Sequence, residues 1–560
     1  MRKSVLWYFK RLRKMPLLEI GSRVLELMYY KSDCFRFKNG WISHKSTSLN
    51  LNVVHDYAVI ELEEGKNIID RGVSVEEIDN SNWFKSNRIP TNFDLRLYWE
   101  GHRFKEYIVL AREENGEELL KSSLKSWMNH NKPLKGLNYI STMECAIRCI
   151  NLFSSLVILK RAKGDISQEL IDISNSFFIT NYDLIRHRLS LFSSRGNHTL
   201  FEYAGLVIIC HALSKSELSF WQGKLESEFD YQTFSDGSGI EQSTAYHLFN
   251  IELCLLVHSV ISSDSILYTL KRAAPFISNF ISSDSIVRFG DSDSSYFFDW
   301  NSTLRLLSTF DTDHKEYIKN YSDSGLAIIR NNIGTCYFKY GCFGMPPLFG
   351  HAHYDFLSVV FKDMNNSLVS ADSQTYTYTS FERASYRSSK YHSMPSFGED
   401  DIKQLTPFSW SRGGSGKLLA TSDSLIKASY SKEDGTKLTR SVHFGDDYFM
   451  IVDEVDFDGS NVTVGDFKLC VRWLLLSNVF DMSFFEVDAH EKISNIDPLT
   501  EKLDYSKLYG RKENDILTCL SFEISKSSRL VSVFKARDCS SNHLDYLDYL
   551  DCLINSASRK

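Results

Sequence analysis

Apolar residues recur every three to four positions between about residues 120 and 320, which is the spacing of helices that bury one face. Proline is nearly absent there, and polar turns separate the apolar stretches. Consecutive helices with short links predict helical hairpins packed side by side. The pattern is clearest in four segments: ECAIRCINLFSSLVIL, HTLFEYAGLVIICHAL, IEQSTAYHLFNIELCLLVHSVI and SILYTLKRAAPFISNFI.

The pattern changes after about residue 323. Short segments rich in β-branched and aromatic residues follow one another, and turns such as NN, GDD and DGS separate them. This is typical of a large antiparallel β-domain. Residues 1–120 mix helical spacing with a small strand element. We therefore predict a mixed N-terminal segment over 1–120, a helical domain over 121–322 and a β-domain over 323–560.

Length and composition agree with a multidomain globular protein. A chain of 560 residues exceeds one hydrophobic core, and its 43% hydrophobic and 24% charged residues are ordinary for such proteins. The net charge of −7 argues against nucleic-acid binding and means that an anionic ligand would need a locally basic cleft. The 11 cysteines lack CxxC spacing, which favours buried thiols in a reducing compartment.

The N-terminus carries no recognisable export signal. Its apolar run, VLWYF, is too short for a signal-peptide core and is followed at once by basic residues. We also see no uncharged apolar stretch of about 18 residues that would suggest a transmembrane segment. This favours a soluble, cytoplasmic protein, with the periplasm or cell envelope as the alternative. The basic, aromatic start suits a membrane surface, but a solvated first helix is the preferred interpretation.

Two helical motifs contain candidate catalytic residues. In SSRGNHTLFEYAG, Asn197 and His198 begin a predicted helix and Glu202 lies one turn later. An Asn at that position can serve simply as a helix cap. In SDGSGIEQSTAYHLFN, Tyr246 lies on another predicted helix. A single such tyrosine is usually a core residue, so neither motif is decisive alone.

Two motifs in the predicted β-domain are more unusual. In LFGHAHYDFLSVVF, His351, His353 and Asp355 alternate, which predicts three ionisable groups on one face of a strand. Buried ionisable groups need partners, so a functional interpretation is favoured here. Farther along, Asp372 and His392 complete, with His353, a set of nitrogen and oxygen ligands suited to zinc.

These motifs, in this order, resemble the heparinase II/III-like polysaccharide lyases. Further matching pieces are FDLRLYWEGHR, LNYISTMECAIR and RFGDSD, so the resemblance spans roughly residues 90–400. It implies an incomplete α/α toroid followed by an antiparallel β-sandwich. It also implies cleavage of an acidic, uronic-acid-containing polysaccharide by β-elimination in a bacterial protein. One departure is Gln374, which stands in a turn where family members commonly have glycine.

The resemblance also implies roles for individual residues. Asn197 would neutralise the uronate carboxylate, and His198, Tyr246 and His351 would move the protons. Zinc held by the predicted ligand set would be structural. Independently of the resemblance, an anionic glycan needs basic groups near these motifs, and a solvated surface is the alternative for each of them: Arg195, Arg383, Arg387 and Lys390. Glu202 is a further candidate for substrate binding.

Two other functions remain open at this stage. A non-catalytic glycan-binding or assembly protein of surface-polysaccharide biosynthesis would keep the fold, but retention of all four candidate catalytic residues favours an enzyme. A glycoside hydrolase with paired carboxylates is ranked last, because Glu202, Asp236 and Glu241 do not single out an acid–base pair. The sequence does not distinguish a monomer from a homo-oligomer.

Overall fold

The computed structural model describes most of the chain. The described residues are 16–39, 48–58, 61, 94–281, 286–292, 297–310, 316–372, 374–379, 382–457, 468–477, 479–488, 490, 492–504, 516–525 and 527–536. Within them, helices occupy the first part and antiparallel strands the second. The predicted order of a helical toroid followed by a β-sandwich is therefore confirmed.

Eleven of the described α-helices precede the first described strand. They are α1 (Leu17–Lys38), α2 (Leu95–Glu100), α3 (Lys105–Leu110), α4 (Gly116–His130), α5 (Thr142–Lys163), α6 (Gln168–Arg186), α7 (Asn197–Ala212), α8 (Leu218–Gln232), α9 (Thr244–Ile261), α10 (Asp264–Ser278) and α11 (Trp300–Leu307). The described part of residues 1–120 contains helices and no strand, and the small strand element expected there is not among the described residues.

The helices form two layers. Helix α7 packs between α5 and α9, and each of these three pairs with the helix that follows it in sequence. The inner helices α5 and α9 are buried on every side over most of their length, whereas α6 and α10 have an exposed polar face. By length and mean hydropathy α5 and α9 could cross a bilayer, but both contain charged residues and both are almost wholly buried, as core helices are.

The β-domain begins at Ile318, five residues before the boundary expected at 323. Its strands pair antiparallel throughout the described registers. They are β1 (Ile318–Tyr321), β2 (Leu326–Asn331), β3 (Gly334–Lys339), β4 (Ser358–Asp363), β5 (Pro395–Phe397), β6 (Gln404–Thr406), β7 (Ser409–Trp410), β8 (Lys417–Ser422), β9 (Leu425–Ser431), β10 (Thr436–Gly445), β11 (Tyr448–Phe457), β12 (Leu469–Leu475), β13 (Phe480–Val487), β14 (Ile493–Asn495), β15 (Leu499–Asp504), β16 (Ile516–Ile524) and β17 (Arg529–Ala536). A short helix, α12 (Glu382–Tyr386), interrupts them.

Three larger sheets build the sandwich. Their strand orders are β1-β2-β3-β4, β14-β13-β17-β11-β10-β9-β8 and β15-β16-β12-β5. Aromatic side chains from different sheets meet between the layers, with Phe361, Trp473 and Phe534 in mutual contact. Such interdigitated rings are how sandwich layers bury their inner faces.

The two domains share a continuous apolar core. The cluster that fills the helical domain also includes Tyr321, Ile328 and Tyr337 from the first sheet. The Tyr337 hydroxyl donates a hydrogen bond of 2.9 Å to the carbonyl of Asn279, beside the end of α10. A packed join of this kind can hold catalytic groups from both domains in one arrangement.

The segment containing His351, His353 and Asp355 is not a strand. These residues lie in the connection between β3 and β4, and β4 begins only at Ser358. The alternating pattern therefore misled the prediction of local structure. The three side chains do not share one sheet face: His351 and His353 both contact Asp291, and Asp355 pairs with Lys339.

Candidate active site

A cavity of about 530 Å³ lies at the join between the domains. The helical side contributes the start of α7 and the first turn of α9, and the β-domain contributes the loop before His351 and the segment around Tyr378. All four residues predicted to be catalytic line this cavity: Asn197, His198, Tyr246 and His351. The cavity has the size of a small-ligand site.

The start of α7 presents Asn197 and His198 to the cavity. The Asn197 backbone N–H donates to Glu241 Oε1 at 2.9 Å, which anchors the helix start. A β-carbon on Gly196 would lie 2.3 Å from that same oxygen, so any other residue here would displace the Glu241 carboxylate from Asn197. Among the described residues, none hydrogen-bonds the side-chain amide of Asn197, and this amide is available to a ligand.

The His198 side chain is exposed to solvent through the cavity, whose protein walls surround it. Desolvation there, reinforced by the nearby His351, lowers the pKa of His198 below its ordinary value. The ring is therefore neutral near neutral pH and can accept a proton.

Tyr246 lies in the first turn of α9, which Ser243 caps by accepting the Tyr246 backbone N–H at 3.1 Å. The Tyr246 ring stacks on the His351 ring with centroids 4.0 Å apart. Its hydroxyl is 2.6 Å from the hydroxyl of Tyr378, which also lines the cavity. Tyr378 is not identifiable from the sequence, because no spacing rule connects it with a residue 132 positions earlier.

Asp291 organises the β-domain side of the site. This fully buried carboxylate lies 3.0 Å from His351 Nδ1 and 3.0 Å from His353 Nε2. Arg383 donates to both of its oxygens, at 2.8 and 2.6 Å. Although burial opposes ionisation, Arg383 and the two histidines hold the pKa of Asp291 well below its usual range.

The environment of His351 favours its charged form. Burial opposes protonation, but the carboxylates of Glu241 and Asp291 outweigh burial and raise the pKa of His351. Because Nδ1 faces Asp291, Nε2 is the ring atom left for a ligand. Glu241 itself has one buried oxygen without a hydrogen bond, and desolvation raises its pKa.

The predicted metal ligands His353, Asp372 and His392 do come together. One ligand atom of each lies within 4.8 Å of the others, and all three side chains are buried. His353 Nδ1, Asp372 Oδ2 and His392 Nε2 have no hydrogen-bond partner, whereas His392 Nδ1 lies 2.8 Å from Asp372 Oδ1. Buried polar atoms are normally satisfied, so these orphaned atoms fit a bound cation.

The surroundings of the cluster also fit a metal. His353 turns Nδ1 toward the cluster and Nε2 toward Asp291, which is the carboxylate–histidine arrangement common behind zinc ligands. Nitrogen and carboxylate donors are chemically suited to zinc. Asp355, the third residue of the alternating pattern, pairs instead with Lys339 at 2.7 Å.

The turn after Asp372 keeps a glycine-like backbone. Gln374 has a φ of 64°, in the left-handed region that favours glycine. Arg288 donates a hydrogen bond to the Gln374 side chain. This interaction favours the turn that orients Asp372, despite the departure from glycine noted in the sequence.

Two arginines expected to bind substrate have structural surroundings instead. Arg383 is held by Asp291, and Arg387 is fully buried with its N–H groups directed at backbone carbonyls such as Ala352 and Pro407. Neither lines the cavity. Lys390 is exposed, 3.9 Å from Glu501. The sequence shows that these three residues are charged, but it does not show which groups they contact in the folded protein.

Arg195 and Glu202 have different positions relative to the cavity. Arg195 lines it, with its guanidinium held by Glu228 at 2.8 Å and stacked 3.7 Å from the Tyr231 ring. Glu202 lies behind the wall, fully buried, and accepts hydrogen bonds from Thr142 and Ser190. The expected substrate contact of Glu202 is therefore replaced by support of the loop that precedes Asn197.

The cavity is lined by more arginines than carboxylates. Five arginines and four acidic residues line it. The arginines are Arg23, Arg96, Arg103, Arg188 and Arg195, and the acidic residues are Glu26, Asp94, Glu144 and Glu241. Three of these arginines are already paired with glutamates behind the lining, since Glu100 contacts Arg96 and Arg103 and Glu228 contacts Arg195.

Comparisons with known proteins agree with this architecture. Residues 313–506 match the family model described as Heparinase II/III-like, C-terminal. No curated protein matches the chain. Among solved structures, one of heparinase III is 15% identical with a TM-score of 0.60, covering 87% of this chain and 85% of that chain. The heparan sulfate lyase HepC from Pedobacter heparinus is 15% identical with a TM-score of 0.52, covering 93% and 89%.

The resemblance predicted from the sequence motifs is thereby confirmed. Residues 313–506 are similar to the heparinase II/III-like C-terminal family, and the fold as a whole resembles heparinase III and heparan sulfate lyase structures. Identities of this size establish the fold. The chemistry has to be argued from the cavity itself.

Proposed function

We propose that this protein is a polysaccharide lyase that cleaves a uronic-acid-containing polysaccharide by β-elimination. The observation that carries the proposal is the convergence of Asn197, His198, Tyr246 and His351 on one cavity. An amide donor, a neutral imidazole, a second imidazole and a phenol are the groups that this reaction needs. A binding protein would not require a neutral base and a phenol in the same cavity.

The first requirement is to acidify the C5 proton of the uronate. The neighbouring carboxylate suppresses that acidity until its charge is neutralised. The free side-chain amide of Asn197 and the Nε2 side of His351 are suited to this task, because both face the cavity and both can donate hydrogen bonds. Their interaction strengthens as the enolate forms, which lowers the barrier.

The second requirement is proton transfer. Neutral His198 takes the proton from C5, and the electron pair of that bond forms the C4–C5 double bond as the C4–O4 bond breaks. Tyr246 gives its hydroxyl proton to the leaving O4, and Tyr378, 2.6 Å away, stabilises the resulting phenolate with a hydrogen bond. The proton on His198 then returns to Tyr246 through solvent, which restores both groups.

Zinc belongs to the same proposal as a structural ion. His353, Asp372 and His392 would hold it, and it would contribute folding energy rather than reacting groups. Its ligand His353 is joined to the catalytic side of the site through Asp291, which also holds His351. The metal cluster would thereby position the His351 ring.

An absorbance screen across acidic polysaccharides tests the reaction class. β-Elimination creates a C4–C5 double bond conjugated with the carboxylate, whereas hydrolysis does not. We expect absorbance to rise with at least one uronate polysaccharide. Reducing ends without that absorbance would identify a hydrolase and contradict the proposal. Saturable binding without either product would favour the glycan-binding alternative.

A further inference from the structure

Helix α1 has its polar side against the protein. Glu19 and Asp33 are only 2% and 1% exposed. Ser193 donates to Glu19, and Asp33 lies 2.9 Å from Nδ1 of His187. Arg23 donates to the Ser194 hydroxyl at 3.0 Å. The acidic residues that a surface helix usually shows to water are here used to attach it to the helical domain.

The opposite side of α1 is apolar and exposed. The large apolar residues concerned are Leu17, Leu18, Val24, Leu25, Leu27, Met28, Tyr29 and Phe35, each at least 43% exposed. Leu18, Leu25, Met28 and Phe35 follow the three- and four-residue spacing of one helix face. A surface helix usually turns its apolar face toward the protein, so the orientation of α1 is reversed. Contiguous exposed apolar surface on this scale marks an interaction site.

The charges near this face have one sign. The exposed charged residues of α1 are Lys31 and Lys38, whereas its three acidic residues are buried or half-buried. Immediately upstream, residues 1–15 contain six lysines and arginines and no acidic residue. An apolar face accompanied by cationic residues complements an anionic lipid surface, where acyl chains accept the apolar groups and headgroups attract the cations.

We propose that the exposed face of α1 docks on an anionic lipid bilayer. A second copy of the chain is a poorer occupant, because a symmetric contact through this face would bring the like-charged Lys31 and Lys38 of both copies together. The inference is independent of the proposed reaction. Since Arg23 and Glu26 of α1 also line the cavity, docking would hold the cavity close to the bilayer surface.

Vesicle flotation with the full-length protein tests this inference. The probes are phosphatidylcholine vesicles with and without phosphatidylglycerol. We expect binding to the anionic vesicles only, and weaker binding as salt rises, because screening reduces the attraction of the cations. Equal binding to neutral vesicles, or no binding to either, would overturn the proposal.

A double variant, Leu25→Glu with Met28→Glu, locates the contact. Both residues are exposed, at 53% and 60%, so the melting temperature should not change. Vesicle affinity should fall on the order of tenfold or more, since two apolar contacts are replaced by repelled charges. The matched control is Met364→Glu, which is 65% exposed on the β-domain and should bind as wild type.

Two results with the variants would overturn the assignment. If the double variant bound anionic vesicles as tightly as the Met364→Glu control, the face would not contact lipid. If the wild type ignored vesicles but formed a dimer that the double variant abolished in light scattering, the face would belong to a second copy.

Discussion

The proton-accepting role of His198 follows from its surroundings. Desolvation and the neighbouring His351 oppose a charge on its ring, while Glu144 favours one and Arg103 opposes it. The net effect lowers the pKa of His198 below the ordinary value of 6.5. The neutral, basic form is therefore present at neutral pH and is lost only as pH falls through the lowered pKa.

The lowered pKa of His198 determines how activity declines at acidic pH. We expect kcat/KM to be maintained as pH falls to 6.5 and to decline only below it, because kcat/KM reports groups of the free enzyme. The measurement is initial rate against pH, with melting curves at each pH to show that the protein remains folded. A decline centred above pH 6.5 in folded protein would contradict the assignment of His198 as the base.

Some residues of the candidate site could be identified from the sequence and others could not. Asn197, His198, Tyr246 and His351 could be picked out because their motifs occur in a recognisable order. Tyr378 could not, since its role depends on the contact of its hydroxyl with Tyr246 in the folded chain. Arg387 was expected to bind substrate because its charge is visible in the sequence. Its burial, which places it outside the cavity lining, is not visible there.

At the scale of structural elements, Asp291 joins the segment after α10 to the β3–β4 connection and to α12. Asp291→Asn would leave Arg383 as a buried charge without its bidentate partner. We expect the free energy of unfolding to fall by about 3–5 kcal/mol, as for other broken buried pairs. Denaturant titration measures this change.

The control for this substitution is Glu399→Gln. Glu399 also belongs to an ion pair, with Lys403 at 2.9 Å, but its side chain is 88% exposed. Exposed pairs contribute little to stability, so no measurable change is expected. Equal stability of Asp291→Asn and Glu399→Gln would show that Asp291 does not hold these elements together.

The ligand cluster predicts metal content. Protein purified without chelators should contain about one zinc per chain. His353→Ala should lose the metal and lower the melting temperature, because a structural ion contributes folding energy. The control, His443→Ala, removes a histidine that is also buried but lies in β10, and should retain zinc. Metal-free wild type would contradict the prediction.

Some structural elements were predicted more accurately than others, and the reasons are physical. The inner helices are visible in sequence because burial on all sides demands continuous apolar residues. The HAHYD segment was misassigned because alternation is also produced by a loop whose side chains turn to different partners, here Asp291 and Lys339. Local spacing does not distinguish a strand face from a loop held by tertiary hydrogen bonds.

At the scale of the whole molecule, the two domains complete one site. Tyr246 comes from a helix of the first domain and His351 from the second, and their rings stack at 4.0 Å across the join. The order of the domains was predictable from the change in hydrophobic pattern near residue 320. The reversed orientation of α1 was not, because apolar spacing shows that a face exists but not whether protein covers it.

The most direct test of the account is product absorbance by the Tyr246→Phe variant on a substrate that the wild type cleaves. Phenylalanine keeps the stacked ring but has no proton to give to the leaving oxygen. We expect kcat to fall by about 10²-fold or more, with an unchanged melting curve. The matched control is Tyr203→Phe, a buried tyrosine of α7 outside the cavity, which should retain wild-type turnover. A folded Tyr246→Phe variant that forms the unsaturated product at the wild-type rate would contradict the account.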